Sequence, residues 1–187
     1  MGMDASIYKV SKEMSDRYSK CDDELNELTL DLTNAVTELM VKYPTLNSNP
    51  SRELLEETVT KDELHKVDSL FKDEYEKEVE RDGNFGKEIH YWRKAYGLDN
   101  YIMQKWSKGV RQHYIRIFFT KEDVIELIAY MENNTDFERG YSFVNTDNFF
   151  GKFSMWDKYE FDRTLSMFKN LVDNWEDDML YFYFAQD

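Results

Sequence analysis

A chain of 187 residues, 41% of them hydrophobic, is long enough for one sizeable core and too apolar to be a disordered chain. Its 38 carboxylates against 24 lysines and arginines leave a net charge of −14, which argues against nucleic-acid binding over the whole surface. The single cysteine, Cys21, excludes an internal disulfide, and with no signal-peptide pattern and no apolar run near membrane length the chain reads as cytoplasmic, with no membrane partner.

Residues 6–10, Ser-Ile-Tyr-Lys-Val, predict a short first strand. From about Lys20 a helical period takes over: Leu25, Leu28, Leu32, Val36, Leu39 and Tyr43 recur at spacings of three and four until Pro44 and Pro50 stop the helix. Cys21 sits there beside Asp22, Asp23 and Glu24, a negative setting that opposes thiolate formation. A second helix follows, with Leu64, Val67, Leu70, Phe71, Tyr75 and Val79 on one side and Thr60 and Glu63 at capping-box spacing. Residues 11–82 thus read as a helical hairpin with a solvated acidic face.

Gly83 and Gly86 punctuate its end, and Ile89 to Tyr96 predicts a helix running towards Trp106. From Tyr114 to Phe119 the pattern alternates, a strand with Ile115, Ile117 and Phe119 on one face. Thr120 and Asp123 open a helix that uses Val124, Leu127, Ile128 and Met131 and ends at Asn133 and Asn134. A strand is expected around Phe149, between Gly140 and Gly151. Ser154 with Asp157 opens a last helix bearing Leu165, Phe168, Leu171 and Trp175, and Leu180 to Phe184 is an unbroken apolar run of the kind a buried strand shows. The class is α+β within one domain, 1–187: a small, mainly antiparallel sheet packed with helices, its core 84–187 completed by strand 6–10, plus the acidic hairpin near the N-terminus.

Standard catalytic and metal signatures do not appear. There is no H-E-x-x-H, no cysteine pair, and no two of His65, His90 and His113 at helical ligand spacing, so neither a metal nor a cofactor is expected. Gly83-Asn84-Phe85-Gly86-Lys87 is too short for a phosphate loop, and Glu88 stands where a magnesium-holding Ser or Thr belongs. Charge distribution is more informative. From Lys87 to Lys121 eight cations face two carboxylates, an island of +6 that leaves −20 for the rest. Within it lies Tyr91-Trp92-Arg93-Lys94, which as a helix would set planar rings beside two cations, with Arg111 and Arg116 close behind. Rings stack on bases and guanidinium forks grip phosphates. The plainer alternative makes Tyr91 and Trp92 core residues merely flanked by the cations.

Gly2-Met3-Asp4 with Tyr8, then Tyr91-Trp92-Arg93-Lys94-Ala95, Phe149-Phe150-Gly151 and Tyr181-Phe182-Tyr183 fall in the order of a known pattern. On these residues the chain resembles a family of small tailed-phage accessory proteins, over its first ten residues and from about residue 85 to the end. It departs where the family has a His and a Trp, here Asp99 and Tyr101, and the hairpin at 11–82 has no counterpart, so the resemblance implies that it is a helical-hairpin insertion. The resemblance implies a phage protein acting in the cytoplasm of an infected bacterium, of a kind that counteracts host defence or redirects host enzymes. The expected activity is non-catalytic binding of a small anionic, nucleotide-like ligand. Tyr91 and Trp92 would stack on it, Arg93, Lys94, Arg111 and Arg116 would hold its phosphates, and Phe149 and Phe150 would add to the site. A rival expectation is an inhibitor that covers a basic, nucleic-acid-processing host protein with its acidic surface; a third is an enzyme acting on a phosphorylated substrate. Direct nucleic-acid binding is not expected, and period alone leaves the oligomeric state open.

Overall fold

A short strand at the start of the chain, a continuous apolar run at its end and helical spacing between them produce twelve elements among the residues that the computed structural model describes, 4–47, 50–93, 96–107, 115–133, 135–136, 142–143 and 158–186. In chain order they are β1 (Asp4–Ser11), α1 (Lys12–Lys42), α2 (Arg52–Thr58), α3 (Lys61–Gly83), β2 (Lys87–Arg93), α4 (Tyr96–Trp106), β3 (Ile117–Phe119), α5 (Lys121–Asn133), β4 (Thr135–Asp136), β5 (Ser142–Phe143), α6 (Lys158–Asp173) and β6 (Met179–Gln186). They divide into two compact units, 13–85 and 1–12 together with 86–187.

The first unit is helical. α1 runs for 31 residues, about 46 Å at 1.5 Å per residue, with Glu13 in its first turn and Lys42 in its last, each at the end of the helix dipole that favours its charge. Leu32, Ala35 and Leu39 of α1 meet Leu46, Leu55 of α2 and Val67 of α3 in one buried cluster. α2, which the sequence pattern does not announce, starts where Ser51 accepts a hydrogen bond from the backbone N–H of Leu54. The capping box at Thr60 and Glu63 forms as its spacing predicts. Ion pairs cross between the long helices: Lys42 to Glu63 at 2.6 Å, Lys77 to Glu24 at 2.7 Å and Arg81 to Asp22 at 3.5 Å. Lys42, together with the backbone and hydroxyl of Thr60, holds the Glu63 carboxyl down at about 2. The apolar side expected of α3 does not act as one stripe. Val67 is buried, whereas Phe71, Tyr75 and Val79 are 49%, 67% and 54% exposed. Each successive step of four overshoots a full helical turn by about 40°, so the later residues rotate away from α1.

The second unit is built on a four-stranded sheet in the order β2-β1-β6-β3, every pair antiparallel, and it gives the chain the α+β class expected of it. β4 and β5 form a separate two-stranded pair. One face of the sheet carries Ala5, Ile7, Trp92, Ile117, Phe119, Tyr181, Tyr183 and Ala185, and packs against Leu98 and Ile102 of α4, Val124 and Leu127 of α5, and Phe161 and Phe168 of α6. β6 is central and buried on both faces from Tyr181 to Ala185, which is why its sequence is a continuous apolar run. The box at Thr120 and Asp123 caps α5, and Asp123 also accepts the Trp106 indole N–H at 2.8 Å.

Residues 87–93 correct the expected helix. They form β2, hydrogen-bonded to β1, and the helix begins only at Tyr96. The short-range pattern fits either period. Pairing with β1, itself held on β6, selects the strand, because in this register Trp92 lies opposite Ala5 on the helix-covered face. The strand and helix start expected at Phe149 and Ser154 lie outside the described residues.

Candidate functional site

The pairing of β2 with β1 contains a β-bulge. Asp4, Ala5, Ser6 and Ile7 pair with Arg93, Trp92, Tyr91 and His90 in step, but Tyr8 then pairs with Glu88, so Ile89 is the extra residue. The shift changes faces. In an unbroken strand Glu88 would alternate with Ile89 onto the face of His90 and Trp92; with the bulge it joins Ser6, Tyr8 and Tyr91 on the opposite face.

On that second face Ser6 lies between Tyr91 and Phe184, Tyr8 between Glu88 and Phe182, and Phe182 next to Phe118. Tyr8 stacks on Phe182 with centroids 5.2 Å apart and meets Phe184 edge-on at 6.4 Å. The Arg116 guanidinium lies over two rings, 5.3 Å from Phe118 and 5.5 Å from Phe182. Beside this aromatic row a hollow of about 160 Å³ opens, lined by Asp4, Ala5, Ser6, Tyr8, Glu88, Tyr91, Phe184 and Gln186. The Ser6 hydroxyl donates to Glu88 Oε2 at 2.8 Å, and the Tyr8 hydroxyl reaches the same oxygen at 3.5 Å. Burial pushes the Tyr8 phenol above its ordinary value, and hydrogen bonding to the Asp4 carboxylate does the same for Tyr91.

The residues assigned to ligand capture separate. Trp92 is 2% exposed, its ring against Phe168 and Tyr183 and its indole N–H donating to Thr164 at 2.8 Å, so it is a core residue and no stacking platform. Tyr91 is 43% exposed on the second face. Arg93 shares that face and stands 4.0 Å from an Asp4 oxygen. Arg116 is on the same face and placed over rings. Lys94, Arg111, Phe149 and Phe150 lie outside the described residues. Of the remaining cations in the island, Lys105 pairs with Glu126. Among the described residues the face that holds Tyr91 thus carries two cations, Arg93 and Arg116, beside two carboxylates, Asp4 and Glu88, and of these four only the carboxylates line the hollow.

Asp4, Ser6, Tyr8, Glu88, Phe184 and Gln186 were not assigned to a binding site from sequence. They come from β1, β2 and β6, at the start, middle and end of the chain, and the bulge that selects Glu88 leaves no mark in the residue pattern. Within the interior a further polar pair is sealed: the Tyr183 hydroxyl donates to Asp99 Oδ1 at 2.8 Å. Cys21 is buried and its thiol is pushed up, first by burial and then by Glu80, which disfavours the thiolate. Among the described residues no group of His, Cys, Asp and Glu could hold a metal ion, and no helix is long and apolar enough to cross a membrane. Compared with models of known protein families, with curated proteins and with solved structures, the chain matches none.

Proposed function

We propose that the protein is a non-catalytic binding protein that engages a basic surface of another protein through its helical unit. The observation that carries this reading is on α3: Phe71, Tyr75 and Val79 stand exposed at intervals of four residues, with Asp68, Glu78 and Asp82 at neighbouring positions on the same side of the helix. An apolar strip edged by carboxylates is suited to a partner whose own apolar contact is ringed by lysine and arginine. The unit as a whole holds 20 carboxylates against 9 lysines and arginines, a net of −11. Its cations are engaged inside the unit, Lys42, Arg52, Lys77 and Arg81 each in an ion pair. A field of that sign steers basic partners and repels a second copy of the same unit. The resemblance to phage accessory proteins makes a bacterial host protein, one that serves defence or processes nucleic acid, the class of target.

Capture of a small anion draws less support. Its stacking residue Trp92 is in the core, and the hollow beside Tyr91 is lined by Asp4 and Glu88.

Affinity capture from bacterial lysate tests the reading, comparing the wild-type chain with a Phe71→Ser/Tyr75→Ser variant at low and high salt. One host protein held by the wild type, released as salt rises and lost with the variant is the expected result. Capture indifferent to both salt and the substitutions would refute it.

A further inference from the structure

We infer that the hollow on the second face of the sheet is a binding site for an organic cation, an alkylammonium or guanidinium group. This site belongs to the sheet unit and does not depend on the helical unit's role. Its walls are the rings of Tyr8, Tyr91 and Phe184, and carboxylates stand within it at Asp4 and Glu88. Aromatic faces and carboxylates attract the same charge, the first through the ring quadrupole and the second directly. An anion would meet two negative groups here.

Three observations support the assignment. The volume of about 160 Å³ admits a head group of a few heavy atoms, since a single water takes a share of about 30 Å³ in the liquid. The Asp4 carboxylate is 46% exposed and engages the Tyr91 hydroxyl, but its Oδ1 is withdrawn from water and accepts no hydrogen bond, and the nearest cation, Arg93 Nε, is 4.0 Å away, beyond hydrogen-bonding reach. A buried acceptor left without a donor costs free energy, which an incoming N–H would recover. The same face also already seats one guanidinium, that of Arg116 over Phe118 and Phe182, so its rings are presented in the geometry a cation uses. The bulge at Ile7 and Tyr8 is what places Glu88 here, fixed by Ser6. An ammonium brings three donors and a guanidinium five, enough to reach both carboxylates at once.

The cation has two possible sources, a free small amine or the lysine or arginine side chain of a protein partner. The full chain is titrated with agmatine and, separately, with the blocked peptide Gly-Gly-Arg-Gly-Gly at about 150 mM salt, where surface charge is screened beyond about 8 Å. Ring resonances of Tyr8, Tyr91 and Phe184 are followed by NMR. The expected result is a saturable shift confined to these rings. Glu88→Gln, which keeps the volume and removes the charge, weakens it about tenfold, the size of one charge-assisted hydrogen bond. Tyr91→Leu, which leaves Glu88 and Ser6 untouched, weakens it in the same direction, while Glu176→Gln on the Lys9 pair leaves it unchanged. Saturation by agmatine alone identifies a free amine, and saturation by the peptide identifies a partner's side chain. Shifts that never saturate, that spread over the acidic surface, or that are equal in wild type and Glu88→Gln overturn the site.

Discussion

The indole N–H of Trp92 donates to the hydroxyl of Thr164 at 2.8 Å, and both side chains are sealed between β2 and α6. This contact changes what a substitution at Trp92 reports. A buried donor deprived of its acceptor costs about 1–3 kcal/mol, so Thr164→Val is expected to lower unfolding stability by that amount in urea titration. Trp92→Phe is expected to cost a similar amount and to act through folding. A Trp92→Phe protein of unchanged stability and altered ligand binding would return Trp92 to the surface role that its neighbours in sequence suggest.

Gly86 is the entry to β2. Its φ is 122°, and a Cβ placed there would meet the Lys9 carbonyl oxygen at 2.9 Å and the Val10 Cβ at 3.0 Å. Both obstacles belong to β1 and cannot swing aside as a flexible side-chain end could. Gly86→Ala therefore combines backbone strain with a steric clash, and a loss of about 1–3 kcal/mol is expected. The effect reaches the site, because displaced residues 86–88 also move the Glu88 carboxylate away from Ser6. Thermal or urea unfolding measures the first consequence, and the agmatine titration measures the second.

His90 gives the sheet unit a pH dependence of definite sign. The ring lies edge-on to Trp92 at 4.8 Å, and its Nε2 has no hydrogen-bond partner. Burial, reinforced by Arg163 and opposed by Glu160 and Glu88, lowers its pKa below the ordinary value of 6.5. The unfolded chain therefore takes up the proton first as pH falls. The stability contribution is complete above the unfolded value and is lost as pH drops from there through the lower folded value. Urea midpoints at about pH 7.5 and about pH 5.5 should fall in the wild type, and fall less in His90→Phe, which retains the contact with Trp92 and cannot titrate. Equal falls in the two proteins would assign the pH dependence to other groups.

How much of this was legible in the sequence depended on the range of the interaction. Local signals were sufficient for the boxes at Thr60 and Thr120, for the long period of α1 and for the alternation of Ile117, Phe118 and Phe119, since each concerns residues within a few positions of one another. Residues 87–93 failed because Ile89, Tyr91, Trp92 and Tyr96 fit a helical or an extended period, and the choice is made by β1, whose paired residues are 78 to 89 positions away. The hollow was invisible for a related reason. Asp4, Glu88 and Gln186 become neighbours only through an antiparallel register and a one-residue bulge. The α3 stripe was legible as an apolar side, but which of its residues are covered was not, because periodicity identifies an apolar face without naming what covers it.

Two residues of α3, eight positions apart, make the last point testable. Val67 is 1% exposed in the cluster with Leu32, Leu39 and Leu55, whereas Tyr75 is 67% exposed. Val67→Ala removes two buried methyl groups and leaves a cavity between three helices, which is expected to cost about 1–3 kcal/mol. Tyr75→Ala removes a larger side chain, yet one whose ring is already in water, and surface changes of this kind stay within about 0.5 kcal/mol. Chemical denaturation of the two variants separates them, and circular dichroism confirms that α3 persists in both. If Tyr75→Ala proves as costly as Val67→Ala, the ring is covered in the folded protein and cannot be the contact offered to a partner. If it is neutral for stability but removes capture of the host protein, the exposed strip on α3 is a surface maintained for binding, since the fold has no need of it.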